Sequence, residues 1–161
     1  MRKTYPLSSL HKLLAVLVLA APLSACDSLF GKEVARLPIN TISTPGQEVV
    51  KDATLQLQQG EELALWSDID MAYDGEAPVR FQVQVFQNGA PYQQLELDPT
   101  EKNVTVGEVK TTVNGKTNWS FTGKNATLTA PKMGTYMFKA RLVAAPNPTL
   151  VVKKAELVLK K

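Results

Sequence analysis

The residues best suited to binding or chemistry lie close together between Trp66 and Asp74. An indole at Trp66 is followed by carboxylates at Asp68 and Asp70, and a further carboxylate lies at Asp74. Residues two apart in a strand share a face, so Trp66, Asp68 and Asp70 would line one solvated surface. An aromatic ring beside two carboxylates could bind a sugar, a basic partner or a cation. We therefore expect these four residues to form a partner-binding surface.

A metal site is a poor explanation for the same acids. The residue order of an EF-hand calcium loop would require an acid at position 72 and glycine at position 73, where the chain has Ala72 and Tyr73. A simpler interpretation is that Trp66 packs under a loop and that the acids beside it are only solvated. We expect no metal ligands in this chain.

The N-terminal segment has the layout of a secretory signal peptide. Basic residues at positions 2, 3 and 12 precede an apolar run, 13–21, and small residues follow before Cys26. The apolar run is shorter than the roughly 20 residues that a transmembrane helix needs. We expect residues 1–25 to be removed from the mature protein.

The tetrad Leu23-Ser24-Ala25-Cys26 ends this segment and resembles the lipobox of bacterial lipoproteins. The resemblance implies cleavage before Cys26, a diacylglycerol on its thiol and an acyl chain on its new amino group. Two or more acyl chains anchor a protein stably in a membrane, whereas one chain binds only marginally. Ordinary secretion would instead leave Cys26 as an unpaired thiol in an oxidising compartment. No cofactor besides this covalent lipid is expected.

Asp27, directly after the lipid site, bears on which membrane holds the protein. In the enterobacterial lipoproteins that this start resembles, an aspartate at this place marks retention in the inner membrane. The resemblance therefore implies a position on the periplasmic face of the inner membrane, with the outer membrane as the alternative.

Removal of residues 1–25 changes what the composition implies. The whole chain has 18 Lys and Arg against 15 Asp and Glu, and the three basic residues of the signal segment leave with it. The mature chain is then neutral, so we expect no nucleic-acid partner. The sole histidine, His11, is removed as well. Mechanisms that need an imidazole base are excluded, although glycoside hydrolysis by two carboxylates remains open.

The rest of the chain divides into a tether and a folded part. Residues 26–47 contain several prolines and glycines and show no sustained periodicity, which predicts a flexible, lipidated tether. From Glu48 to Lys161 apolar and polar residues alternate with period two, as in half-buried strands. The clearest example runs from Val79 to Val85. We expect an all-β domain over residues 48–161.

The number and spacing of these strands predict the architecture. Eight or nine short strands separated by turns indicate an antiparallel two-sheet β-sandwich, either immunoglobulin-like or a jelly roll. Residues 134–138 resemble the penultimate strand of immunoglobulin-like sandwiches, in which a tyrosine near the strand start, here Tyr136, caps a corner. We further expect one long hairpin from residues 135–143 and 150–159.

Two Asn-Gly pairs, at 88–89 and 114–115, indicate hairpins. We expect three-residue loops at both, since that register pairs apolar residues with each other, whereas a slip of one residue exchanges the faces. A bulge is expected at Gly107, where the apolar parity changes. The predicted cross-strand pairs are Phe81 with Leu97, Val83 with Leu95, Phe121 with Val109 and Trp119 with Thr111.

Together these observations predict a non-enzymatic, lipid-anchored binding protein of the bacterial envelope. Its partner would be an envelope or periplasmic protein, with the chain acting as an accessory subunit or an immunity-type inhibitor. The alternative is a carbohydrate-binding module or a carboxylate-dependent enzyme that acts on glycans.

Overall fold

Among the residues that the structure describes, the alternation of apolar and polar side chains forms nine β-strands. The computed structural model describes residues 30–161, and residues 32–161 form one compact unit. The strands are β1 (Glu33–Pro38), β2 (Lys51–Leu57), β3 (Glu62–Asp74), β4 (Val79–Gln87), β5 (Ala90–Leu97), β6 (Val104–Val113), β7 (Lys116–Thr129), β8 (Gly134–Ala144) and β9 (Val151–Lys160).

The strands form two antiparallel sheets, as predicted. The five-stranded sheet has the order β1-β9-β3-β7-β6, and the four-stranded sheet has the order β2-β8-β4-β5. Large apolar side chains from the inner faces of both sheets make the core, because every second residue of a strand points the same way. Fully buried members include Leu65 of β3, Phe81 of β4, Phe138 of β8 and Leu157 of β9.

The folded part begins earlier in the chain than the composition indicated. Residues 33–38 lie inside the predicted tether, yet they form β1 and pair with β9. Leu37 and Ile39 are buried in the core, and Ser43 donates its backbone N–H to the carbonyl of Leu142. The prolines and glycines of this segment predicted a flexible tether, but part of it forms a short edge strand. The predicted signal peptide, Cys26 and Asp27 lie outside the described residues. Within residues 30–161, no helix is long and apolar enough to cross a bilayer.

Both Asn-Gly hairpins have two-residue turns, which corrects the prediction of three-residue loops. Asn114 and Gly115 both have positive φ angles, 51° and 82°, as do Asn88 and Gly89, and this is the geometry of a type I′ turn. At the first hairpin a bulge between Val85 and Phe86 restores the predicted register, so that Phe81 pairs with Leu97 and Val83 with Leu95.

At the second hairpin no bulge intervenes between the turn and Val109. Val109 therefore pairs with Ser120, and Trp119 pairs with Lys110, instead of the predicted partners. The predicted bulge at Gly107 is confirmed, since the register shifts between Val106 and Val109 and Gly107 has a φ of 63°.

The last two strands do not form the predicted hairpin. β8 lies between β2 and β4 in one sheet, whereas β9 lies between β1 and β3 in the other. In immunoglobulin domains the corresponding last two strands are neighbours, so the strand order here is different. The tyrosine contact itself is present, because the buried Tyr136 hydroxyl donates to the carbonyl of Lys132 at 2.8 Å, four residues upstream.

Candidate interaction surface

The outer face of the five-stranded sheet holds most of the predicted site residues. Cross-strand pairing places Trp66 beside Val158 on one side and Lys124 on the other. Asp68 lies in the next row, between Glu156 and Thr122. Trp66, Asp68 and Asp70 therefore lie on the same face of β3, as predicted.

Trp66 is not available to a partner, however. Its side chain is only 2 % exposed, and the ammonium of Lys160 lies 4.5 Å from the centre of the indole ring. Val158, its cross-strand neighbour, is buried as well. The expectation of a solvated indole is therefore wrong: on this face the large ring is covered by the aliphatic and cationic side chains of β9.

Asp68 is held by two cations. Its carboxylate accepts from the Arg36 guanidinium at 3.2 Å and pairs with the Lys154 ammonium at 2.8 Å. Arg36 also binds Glu156 and makes a two-pronged contact with Glu33, with N···O distances of 2.6 and 2.9 Å. A carboxylate engaged in this way offers little to an incoming cation or basic partner.

We call this group of side chains, together with Trp66, the ion-pair region. Its four cations are balanced by four carboxylates: Arg36, Lys153, Lys154 and Lys160 against Glu33, Asp68, Asp70 and Glu156. The hydrogen bond from Arg36 lowers the pKa of Glu33, and the same bond is the main cause of a raised pKa at Arg36. The region therefore satisfies its own charges.

Of the two remaining predicted acids, Asp70 lies at the margin of the ion-pair region and Asp74 lies outside it. Asp70 has only a loose contact with Lys153, at 3.6 Å. Asp74 ends β3 with an exposed side chain, and its backbone N–H donates to the Thr149 hydroxyl at 2.9 Å. Across residues 30–161, no three acidic, histidine or cysteine side chains lie close enough to share a metal ion.

The other end of the same outer face is an apolar edge. Four valines of β6, Val104, Val106, Val109 and Val113, pair with β7 residues whose other neighbours are on the outer face of β3. We call these four residues the valine edge. Each valine is between 39 % and 61 % exposed. All ten residues of β6 are exposed, whereas each of the other described strands buries at least one residue.

A cluster under β6 holds this strand in place. The Lys102 side chain is almost buried, and its ammonium lies 4.3 Å from the Phe121 ring centre. Glu108 accepts from that ammonium at 2.9 Å and from the Trp119 indole at 2.7 Å. Both hydrogen bonds lower the pKa of Glu108, and the bond from Lys102 has the larger effect. The Lys110 ammonium lies over the Trp119 ring, 4.0 Å from its centre.

This cluster links the two strands of the β6–β7 hairpin, since Glu108 of β6 accepts from Trp119 of β7. The stem of Lys102 lies so close to Gly123 that a Cβ at this position would be 2.5 Å from Lys102 Cδ. The absence of a side chain at Gly123 is therefore what lets the lysine stem fill the space.

The outer face of the four-stranded sheet has an open groove of about 810 Å³. It is lined by amide and charged side chains, among them Gln82, Gln84, Gln94, Lys139 and Arg141, and by no aromatic ring. Arg141 is already engaged, since it contacts Glu48 and donates to Gln82 at 2.9 Å.

Sequence reasoning missed the valine edge because it paired apolar residues across the second hairpin. The signal that could have found it is the Asn114-Gly115 pair, which strongly favours a two-residue turn. That turn places Val109 opposite Ser120 and directs the valines away from the core.

No protein-family model matches this chain, and no curated protein matches it either.

Proposed function

We propose that this chain is a non-catalytic, lipid-anchored binding protein of the bacterial envelope, held by acylated Cys26 on the periplasmic face of the inner membrane. It acts as an accessory subunit of an envelope assembly or as an inhibitor of the immunity type. The observation that supports a binding role most directly is the valine edge, since exposed apolar side chains on an unpaired edge strand are typical of interaction sites.

The ion-pair region supports the same proposal by contrast. Natural sheets avoid edge-to-edge association by placing charges on exposed strands. The opposite edge strand, β1, follows that rule, because Arg36 and Glu33 form an ion pair on it. The outer face of β6 carries valines instead.

The lipid anchor is tested by intact mass analysis of the protein made in its native host. We expect a mature chain that begins at Cys26 and carries a diacylglycerol and an N-linked acyl chain. Cys26→Ala should leave the protein uncleaved and unacylated. An unmodified thiol at the mature start of the native protein would contradict the anchor.

The binding role is tested by purifying the full-length lipidated protein from its own envelope in mild detergent. We expect one reproducible protein partner to remain bound through purification. Val109→Glu should reduce its recovery, whereas Thr122→Glu, on the neighbouring β7, tests whether any new charge on this face has the same effect. Wild-type protein that purifies with no partner, at low salt and after chemical cross-linking, would contradict the proposal.

A second candidate function is glycan binding in the groove of the four-stranded sheet. Three glutamine amides line it, and amides can donate to and accept from sugar hydroxyls. The test is calorimetric titration with soluble peptidoglycan fragments, for which Gln84→Ala should weaken binding and Gln56→Ala, outside the groove, should not. Hydrolysis of the fragments that is abolished by one acid-to-amide change would favour an enzyme instead.

A further inference from the structure

The regular part of β6 has the free edge that an added strand requires. Between Val109 and Val113 the pairing with β7 proceeds without a register shift, after the bulge that follows Val106. β6 is the last strand of its sheet, so its other edge has no strand beside it among the described residues. Strands in globular proteins are usually about 3–10 residues long, so this regular edge has the length of an ordinary strand partner for an extended peptide.

The turn determines which backbone groups of this edge face outward. In a two-residue hairpin the residues that flank the turn, here Val113 and Lys116, form a hydrogen-bonded pair. The alternation of antiparallel pairing then directs the peptide groups of Thr112 and Lys110 away from β7. These two residues supply the donors and acceptors for an incoming strand.

The side chains along this edge define what that strand must carry. Residues of an added strand that share the outer face would meet Val109 and Val113, which favours apolar side chains there. Residues on the opposite face would meet Lys110. A strand that alternates apolar and acidic residues fits both faces.

Charge also argues against a second copy of this chain. Residues 102–124 contain four lysines and one acid, Glu108, which pairs with Lys102. Of the other three, Lys110, Lys116 and Lys124, none forms a salt bridge with a residue in the range 30–161. Lys110 lies on the face opposite the valines, within Val109–Val113. Two copies joined through this segment would place two Lys110 cations on one face, whereas acidic residues of a different strand would neutralise Lys110.

We infer that β6 binds an extended segment of another protein, alternating apolar and acidic residues, as an added strand along Val109–Val113. This inference rests on the proposed binding function and names the site and the chemistry of its partner. The added strand covers Val109 and Val113 of the valine edge and places its carboxylates beside Lys110.

The test compares two substitutions at one residue. Thr112→Pro removes the outward N–H of the edge, and Thr112→Ala keeps it; both lose the hydroxyl contact with Thr117, which is 2.9 Å long. The probe is a capped ten-residue peptide of alternating valine and glutamate, titrated calorimetrically into full-length protein in mild detergent. A second peptide has lysine in place of glutamate.

We expect Thr112→Ala to bind the glutamate peptide as the wild type does, and Thr112→Pro to bind it roughly tenfold more weakly. The lysine peptide should not bind, and Lys110→Glu should exchange the preference. Equal binding by both Thr112 variants with unchanged unfolding transitions would overturn the inference. Concentration-dependent dimerisation that only Thr112→Pro abolishes would overturn it in favour of a second copy.

The outcome also separates this inference from the proposed function. If the native partner is recovered equally with Thr112→Pro and Thr112→Ala, the binding function holds and the β6 site is wrong. If the wild-type protein has no partner in its envelope, the proposed function fails whatever the peptides show.

Discussion

The ion-pair region and the valine edge share one sheet face, yet they end in opposite states. In the first, Arg36 links carboxylates from three strands, and Lys160 covers Trp66. In the second, Val109 and Val113 are each 61 % exposed. The comparison teaches that the residues most suggestive of chemistry in the sequence serve the fold, while plain valines are exposed.

The largest difference should appear in stability. Trp66→Ala removes a buried indole from the ion-pair region and is expected to lower the free energy of unfolding by about 3–5 kcal/mol. Val109→Ala, on the valine edge, should change it by less than about 0.5 kcal/mol, since the side chain is mostly exposed. Denaturant unfolding of the full-length protein measures both. Similar losses for the two variants would remove the distinction between the regions.

The support beneath the valine edge is tested at Gly123. An added methyl at this position would lie 2.5 Å from Cδ of Lys102, so the lysine stem must leave its place. Gly123→Ala should therefore cost about 1–3 kcal/mol by overpacking. It should also separate Lys102 from Glu108, which the chemical shift of the Trp119 indole N–H would report. In a Lys102→Ala background the clashing stem is absent, so Gly123→Ala should then cost little, and this pair of variants is the control.

The third prediction concerns the charge balance of the ion-pair region. Arg36→Ala leaves Asp68 and Glu156 adjacent without their shared cation and should cost about 1 kcal/mol at neutral pH, a modest value because Arg36 is partly exposed. Its bond to Glu33 lowers the pKa of that carboxyl, so this stabilisation is complete above the usual glutamate range and is lost as pH falls through the lowered pKa.

The stability difference between wild type and Arg36→Ala should therefore shrink as the pH falls below about 4. Arg36→Lys keeps the charge but not the two-pronged contact and should lie between the two. A difference that is constant from pH 7 to pH 3 would show that Glu33 gains nothing from Arg36.

Much of the fold could be predicted from alternation alone. The β4 strand and its pairing with Leu95 and Leu97 follow from the period-two pattern, since both sides of the pair must face one core. β1 could not be predicted in this way, because six residues with one fully buried side chain carry almost no periodic signal. The pairing of β9 with β1 and β3 could not be predicted either, because it depends on how strands from distant parts of the chain are distributed between the two sheets.

The site was harder to predict for a different reason. Position on a face follows from the spacing of Trp66 and Asp68, but exposure depends on what neighbouring strands place above them. Lys160 and Arg36 come from β9 and β1, and no local pattern relates them to β3. The outward direction of Val109 depended on a turn of two residues instead of three.

The smallest expected effect is a titration that reports whether β6 is held as described. Glu108 accepts hydrogen bonds from Lys102 and from the Trp119 indole, and these lower the pKa of its carboxyl. The Trp119 indole N–H resonance should then shift with a midpoint below the ordinary glutamate pKa of about 4.3. In Glu108→Gln the shift should vanish, and in Lys102→Met, which removes the main cause, the midpoint should rise. A Trp119 resonance that titrates with an ordinary midpoint in the wild type would mean that Glu108 is solvated and that β6 is free to move away from the sheet.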